Sequence, residues 1–218
     1  MSWNAWLGVR LRRVVALGVL SLLVACAAQP RAEEYAVEST QAHACKGETE
    51  REPIPWKALA SGIWVWPGAV AEIDVVNQGH VAPTTVVVDR GEAAVIDPGP
   101  SLQHGQRVRR AVVCDFHAKL RWVVNTHAHA ETVLANGAFD DDVRSGGVQL
   151  VASQATAVAM AERCPNCLAS LKMRAGEAAM AGTEIRLPTR SLKPGDVLPV
   201  GRKALRVEAV EQGHTEGD

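Results

Sequence analysis

Two histidines lie one residue apart in the segment NTHAHAETVLANGAF, residues 125–139. His127 and His129 follow a short apolar run and precede a helix-like stretch that includes Glu131 and Thr132. Neutral imidazole is a good zinc ligand, and residues i and i+2 of a curling loop can aim at one point. A third histidine from a distant strand end would complete three protein ligands and leave the fourth position for water. The spacing therefore indicates a zinc site, with a solvated histidine pair on a strand as the alternative.

The chemistry of such a site is hydrolysis without a protein nucleophile. Zinc lowers the pKa of a bound water to about 7, so zinc-bound hydroxide becomes the nucleophile at neutral pH. Glu131 could then act as the catalytic general base or orient the water. It could also be an acid at a helix N-terminus that the helix dipole stabilises. Both interpretations remain open from the sequence.

The elements that must position these residues alternate between strand and helix. Residues 84–100 hold two β-branched runs around Arg90-Gly91, which predicts a hairpin. The other predicted elements are a strand in 61–68, a helix in 104–120, a strand in 121–127, a helix in 130–139, a strand in 147–153, helices in 154–164 and 168–182, and three short strands in 183–210. This alternation predicts a layered α/β domain, whose binding residues lie in loops beyond strand ends. His127, His129 and His214 all follow predicted strands.

The N-terminal residues differ in character from the rest. Three arginines in residues 10–13 precede an apolar run of about a dozen residues, too short to cross a bilayer core of about 30 Å. The run ends in LVAC, residues 23–26, which resembles a bacterial lipobox with Cys26 as the lipidated residue; ordinary cleavage near residues 25–28 is the alternative. We predict a lipoprotein-type signal peptide at 1–26 and a polar tether at 27–55. The protein would be exported to the periplasm and anchored to a membrane by lipid.

Export places the remaining cysteines in an oxidising compartment, where disulfides persist. Cys164 and Cys167 form a CPNC sequence that could be a redox pair, half of a zinc site or a local structural disulfide. We prefer the structural disulfide between two helical pieces, because a helix rather than a strand is predicted before it. The formal net charge of −1 gives no indication of a nucleic-acid partner.

Three segments in order carry a family resemblance: VIDPGPS (95–101), the histidine segment, and GHTEGD (213–218). They resemble the metallo-β-lactamase superfamily, and the histidine segment is most similar to periplasmic zinc metallohydrolases of quinoprotein relay systems. The resemblance spans roughly residues 62–218. It implies an α/β fold, the metallo-β-lactamase-like αββα sandwich, with mainly its first half present. It also implies zinc ligands at His127, His129 and His214, with Asp97 supporting the ligand loop.

Two departures from the family pattern affect these expectations. The Asp-His pair that serves a second metal is Glu131-Thr132 here, so one zinc is expected and a second site is doubtful. Further family ligands follow the His-Thr-x-Gly-Asp segment, whereas this sequence ends at Asp218. We therefore expect residues 56–218 to be the N-terminal part of the domain, with an uncovered sheet face and no activity on their own.

Function beyond zinc hydrolysis of a small-molecule substrate is not specified, since fold does not fix the reaction. One alternative is a non-catalytic periplasmic accessory or metal-binding protein that pairs with a quinoprotein dehydrogenase. Another is a thiol redox protein that uses the CPNC cysteines. His80 is predicted to be an ordinary loop histidine, and Trp64, Trp66 and Trp122 are predicted to be packing residues.

Overall fold

The computed structural model describes residue 45, residues 53–208, and residues 210, 213 and 215. Cys26, most of the predicted tether and His214 lie outside the described residues. The strands are β1 (Lys57–Ala60), β2 (Ile63–Trp66), β3 (Thr84–Asp89), β4 (Glu92–Ile96), β5 (Lys119–Val124), β6 (Gln149–Ser153), β7 (Arg190–Leu192), β8 (Val197–Val200) and β9 (Lys203–Arg206). The helices are α1 (Leu102–Cys114), α2 (Ala130–Val133), α3 (Asp140–Arg144) and α4 (Gln154–Ala175), with a 3₁₀ helix at Leu134–Phe139.

Seven strands form one mixed sheet in the order β1 to β7. Strands β1 to β4 pair antiparallel with their neighbours, and β4 to β7 pair parallel through helical crossovers. Ile96 at the end of β4 is in register with Val124 at the end of β5. Because neighbouring parallel strands end at the same edge, the loops after β4 and β5 lie side by side.

The two faces of this sheet bury different partners, because side chains alternate along each strand. Val86, Val95 and Val123 pack with α1, whose Val108 and Val112 are buried on the same face. On the opposite face, Val87, Ala94, Trp122 and Val151 pack with Leu198 and Val200 of the β8–β9 hairpin. The α/β class is therefore confirmed, and the described layers are helix, sheet and sheet. The expectation of an uncovered face is wrong where the hairpin lies.

Helix α4 is continuous for 22 residues, although two helical pieces are predicted around CPNC. Ser153 caps its start by accepting a hydrogen bond from the Thr156 backbone N–H. Pro165 within the helix has no N–H to donate. Met160, Cys164 and Leu171 are nevertheless buried against the loop that carries the histidines. Tertiary packing on this face explains why the helix continues through the proline.

The cysteines pair differently from the prediction. A disulfide joins Cys45 to Cys114 at the end of α1, 69 residues apart in sequence. Cys164 and Cys167 are both free thiols, so the predicted local disulfide is wrong. Burial raises the pKa of the Cys164 thiol to about 11. Since the thiolate is the reactive form, this environment suits a packing residue better than a redox nucleophile. Within the described residues, no helix has both the length and the apolar character that crossing a bilayer requires.

Candidate metal centre

Asp97 follows β4 and begins the turn that leads to α1, beside the end of β5. Its φ of 51° lies in the left-handed region, which costs about 1–3 kcal/mol for a residue other than glycine. The backbone N–H of Asp97 donates to the Val124 carbonyl at 2.8 Å, and that of Gly99 donates to the Thr132 carbonyl at 3.1 Å. The Ala135 N–H donates back to the Gly99 carbonyl at 2.9 Å. The turn is thereby fixed to the segment that contains both histidines.

The Asp97 carboxylate reaches His127 through Thr126. Its Oδ1 accepts from the Thr126 backbone N–H at 2.9 Å, and its Oδ2 accepts from the Thr126 hydroxyl at 2.7 Å. The same hydroxyl lies 2.8 Å from His127 Nδ1. Because a hydroxyl has one proton and donates it here to the carboxylate, His127 Nδ1 must be the donor in this second contact. Nε2 of a neutral His127 is then the nitrogen with the lone pair.

His127 and His129 lie on either side of buried Ala128 and are both partly exposed. Their ring centroids are 4.9 Å apart with an interplanar angle of 69°. The structure thus brings together the two imidazoles that the sequence predicts as ligands. It also places them beside Asp97, at the edge where the parallel strands β4 and β5 end.

Glu131 and Thr132 occupy distinct environments around this pair. Glu131 Oε1 lies 3.5 Å from His129 Nδ1, a distance that allows electrostatic attraction but exceeds a good hydrogen bond. Thr132 is buried and its hydroxyl donates to the His129 carbonyl at 2.8 Å. Thr132 therefore fixes the backbone of the loop rather than presenting an oxygen to a metal. A catalytic role for Glu131 stays a prediction.

Two asparagines that the sequence analysis does not identify link the start of the histidine loop to the 3₁₀ helix through hydrogen bonds. The Asn125 side-chain amide donates to Asn136 Oδ1 at 3.1 Å, and Asn136 donates back to Asn125 Oδ1 at 2.8 Å. Asn136 also donates to the Arg186 carbonyl at 2.9 Å, and both asparagines are buried. Their position between apolar residues in VVNTH and VLANG is the signal that could have identified them, because buried amides need partners.

The donors present are of the right type for zinc, but the described part of the chain supplies two of the three predicted ligands. Among these residues, no group of three or more His, Cys, Asp or Glu side chains is arranged to hold a metal ion. His214, the predicted third ligand, lies outside the described residues. The hydrogen bond at His127 Nδ1 fits an imidazole ligand, because metal-binding histidines are commonly oriented by a hydrogen bond at the ring nitrogen that does not bind the metal.

No family model matches the chain, and no curated protein matches it. Solved structures similar to it include metallo-β-lactamases from three bacteria. The enzyme from Pontibacter korlensis gives a TM-score of 0.47 at 16% identity, covering 69% of this chain and 58% of that one. The enzyme from Hirschia baltica gives 0.46 at 13%, covering 68% and 57%, and that from Cronobacter sakazakii gives 0.45 at 16%, covering 72% and 53%. The chain thus spans little more than half of each structure. Because scores and identities are low, these likenesses establish neither the family nor the reaction of this chain.

Proposed function

We propose that this chain is the histidine-bearing part of a zinc-dependent hydrolase of the metallo-β-lactamase superfamily. The observation that carries the proposal is the pair of imidazoles, 4.9 Å apart, at the shared end of two parallel strands. The Asp97–Thr126 link to His127 supports it, because it sets the tautomer that a metal-binding imidazole needs. When bound, zinc would supply a Lewis acid and a lowered pKa for water.

Side chains of this chain would bind the ion, orient its ligands and accept a proton. His127 and His129 would hold the ion through ring nitrogens, together with His214 as the predicted third ligand. Asp97 and Thr126 would orient His127, and the Glu131 carboxylate would lie beside His129. Glu131 could take a proton at its carboxylate oxygen once a substrate and water are in place. Thr132 would keep the loop in shape through the His129 carbonyl.

The experiment is a zinc assay combined with hydrolysis assays on the full-length chain. Zinc content is measured after dialysis, and chromogenic lactams, thioesters, lactones and phosphoesters are tested with and without a chelator. We expect one zinc per chain, and any turnover of one of these classes should be lost in chelator. His127→Ala should abolish both, whereas the exposed His117→Asn should change neither. A folded chain that never retains zinc, or that hydrolyses equally well in chelator, would contradict the proposal.

A second candidate is a metal-binding accessory protein without turnover, such as a partner of a periplasmic quinoprotein dehydrogenase. The specific observation that favours it is Thr132, which stands where the family has a metal-binding histidine and whose hydroxyl is turned to the His129 carbonyl. Zinc retention without hydrolysis of any tested substrate would select this candidate over the hydrolase. Co-purification with a dehydrogenase from the native host would then identify the partner.

We also propose that the protein is exported and anchored by lipid at Cys26. The Cys45–Cys114 disulfide supports export, since such bonds form and persist in oxidising compartments. Metabolic labelling with a radioactive fatty acid tests the anchor. The wild-type chain should incorporate label and fractionate with membranes, and Cys26→Ser should do neither. Equal labelling of the two forms would remove the lipid-anchor proposal.

A further inference from the structure

The Asp97 turn rests on a buried threonine whose hydroxyl contacts the Asp97 carbonyl and His104. Thr84 opens β3 and is fully buried. Its hydroxyl lies 2.9 Å from the Asp97 carbonyl and 3.2 Å from His104 Nε2. The carbonyl has no proton to give, so Thr84 donates to it. His104 Nε2–H must then donate to Thr84, because the hydroxyl's single proton is already used.

His104 is held in place to make this contact. It lies in the first turn of α1, where its backbone N–H donates to the side chain of the N-cap Ser101 at 3.3 Å. Its ring stacks on Trp66 with centroids 4.2 Å apart and an interplanar angle of 8°. A Cβ atom at Gly99 would come within 2.2 Å of His104 Cδ2, so the turn lies directly on the imidazole. The imidazole is therefore packed against both Trp66 and the turn.

Two threonines thus act on Asp97 in parallel ways. Thr126 donates to its carboxylate and accepts from His127, while Thr84 donates to its carbonyl and accepts from His104. A left-handed aspartate persists only where its surroundings fix it, and the Thr84 bond acts on the carbonyl that follows the strained φ. Loss of that bond would let the peptide after Asp97 rotate and the carboxylate turn away from Thr126.

We propose that Thr84 is a positioning residue, oriented by His104, that aims the Asp97 carboxylate at Thr126 and thereby sets the tautomer of His127. The consequence for zinc affinity rests on the proposed function. The consequence for the His127 tautomer does not, because it can be read in the metal-free chain. The two can therefore fail separately.

The test compares Thr84→Val, Thr84→Ser and His104→Phe with a matched control. Valine keeps the shape without the hydroxyl, serine restores the hydroxyl, and phenylalanine keeps a ring on Trp66 without the N–H. Thr183→Val is the control, because Thr183 is also buried and its hydroxyl accepts a bond from the Leu102 backbone N–H rather than donating to Asp97. The readouts are the ¹⁵N imidazole shifts of His127 without metal, and zinc affinity by competition with a chromophoric chelator.

We expect metal-free wild type, Thr84→Ser and Thr183→Val to hold His127 with the proton on Nδ1. Thr84→Val should show a mixture of His127 tautomers and bind zinc about tenfold more weakly. This is the low end of the affinity loss seen when a residue that orients a metal ligand is changed. His104→Phe should lie between wild type and Thr84→Val. If Thr84→Val does not fold, His104→Phe decides alone. A folded Thr84→Val or His104→Phe with an unchanged His127 tautomer would overturn the proposal, as would an equal shift in Thr183→Val.

If the tautomer shifts as expected but no form of the chain binds zinc, the positioning role stands and the proposed function fails. If zinc binds equally to all forms while the tautomer is unchanged, the proposed function stands and the positioning role fails.

Discussion

Replacing Thr126 by valine isolates the link between Asp97 and His127. The change removes a hydroxyl that makes bonds of 2.7 Å to the carboxylate and 2.8 Å to the imidazole, and keeps the β-branched shape. The backbone N–H of Thr126 still donates to Asp97 Oδ1 at 2.9 Å, so the loop keeps one anchor. Thr126 is exposed, and we expect the free energy of unfolding to fall by about 1 kcal/mol.

Zinc affinity should fall by more than stability. Partners of metal-binding histidines matter by about 10–100-fold in affinity, and each factor of ten is about 1.4 kcal/mol. Affinity is measured by chelator competition and stability by urea denaturation, with Thr126→Ser as the control that keeps the hydroxyl. The role assigned to this hydroxyl would be refuted if wild type, Thr126→Val and Thr126→Ser all bound zinc with the same affinity.

Three further predictions concern packing and protonation. Gly99→Ala should destabilise the chain by about 3 kcal/mol in urea denaturation, because the new Cβ would lie 2.2 Å from His104 Cδ2 at a φ of 116°. Gly91→Ala, with φ 74° but open space, should cost only about 1 kcal/mol, from the left-handed backbone alone. Burial lowers the pKa of His80 from 6.5 to about 4, so the unfolded chain binds this proton more readily than the folded chain. The free energy of unfolding should therefore be highest above pH 6.5 and fall as pH drops toward 4. His80→Phe should reduce this dependence of the unfolding free energy on pH, and an unchanged dependence would contradict the prediction. Cys164 should resist iodoacetamide in the native chain and react only on unfolding, because burial raises its pKa to about 11; native-state labelling detected by mass spectrometry would count against this.

The parts of the fold that sequence predicts are those with strong local signals. Alternating β-branched residues around Arg90-Gly91 predicted the β3–β4 hairpin, which the structure confirms. Helix α1 was predicted to run too far, to residue 120, because its apolar spacing continues toward the start of β5. The break predicted at Pro165 is absent, since burial of one face of α4 outweighs the local cost of proline.

The sequence predicts the residue types of the candidate ligands but not the hydrogen bonds that position them. A histidine pair after an apolar strand is visible in sequence, and the resemblance pointed to Asp97. The bond from Thr126 depends on β4 and β5 being parallel neighbours, and the Asn125–Asn136 pair depends on a loop folding back over eleven residues. Neither contact can be predicted from local sequence, because each depends on tertiary proximity. The same holds for the pairing of Cys45 with a cysteine 69 residues away.

X-ray absorption at the zinc edge of the zinc-loaded full-length chain tests the central claim most directly. The account predicts three imidazole nitrogens at about 2.0–2.1 Å and one oxygen ligand from solvent. His127→Ala should abolish zinc binding, and His129→Ala should reduce the imidazole count by one or abolish binding. A coordination sphere without imidazole, or one that is unchanged in both variants, would contradict the account.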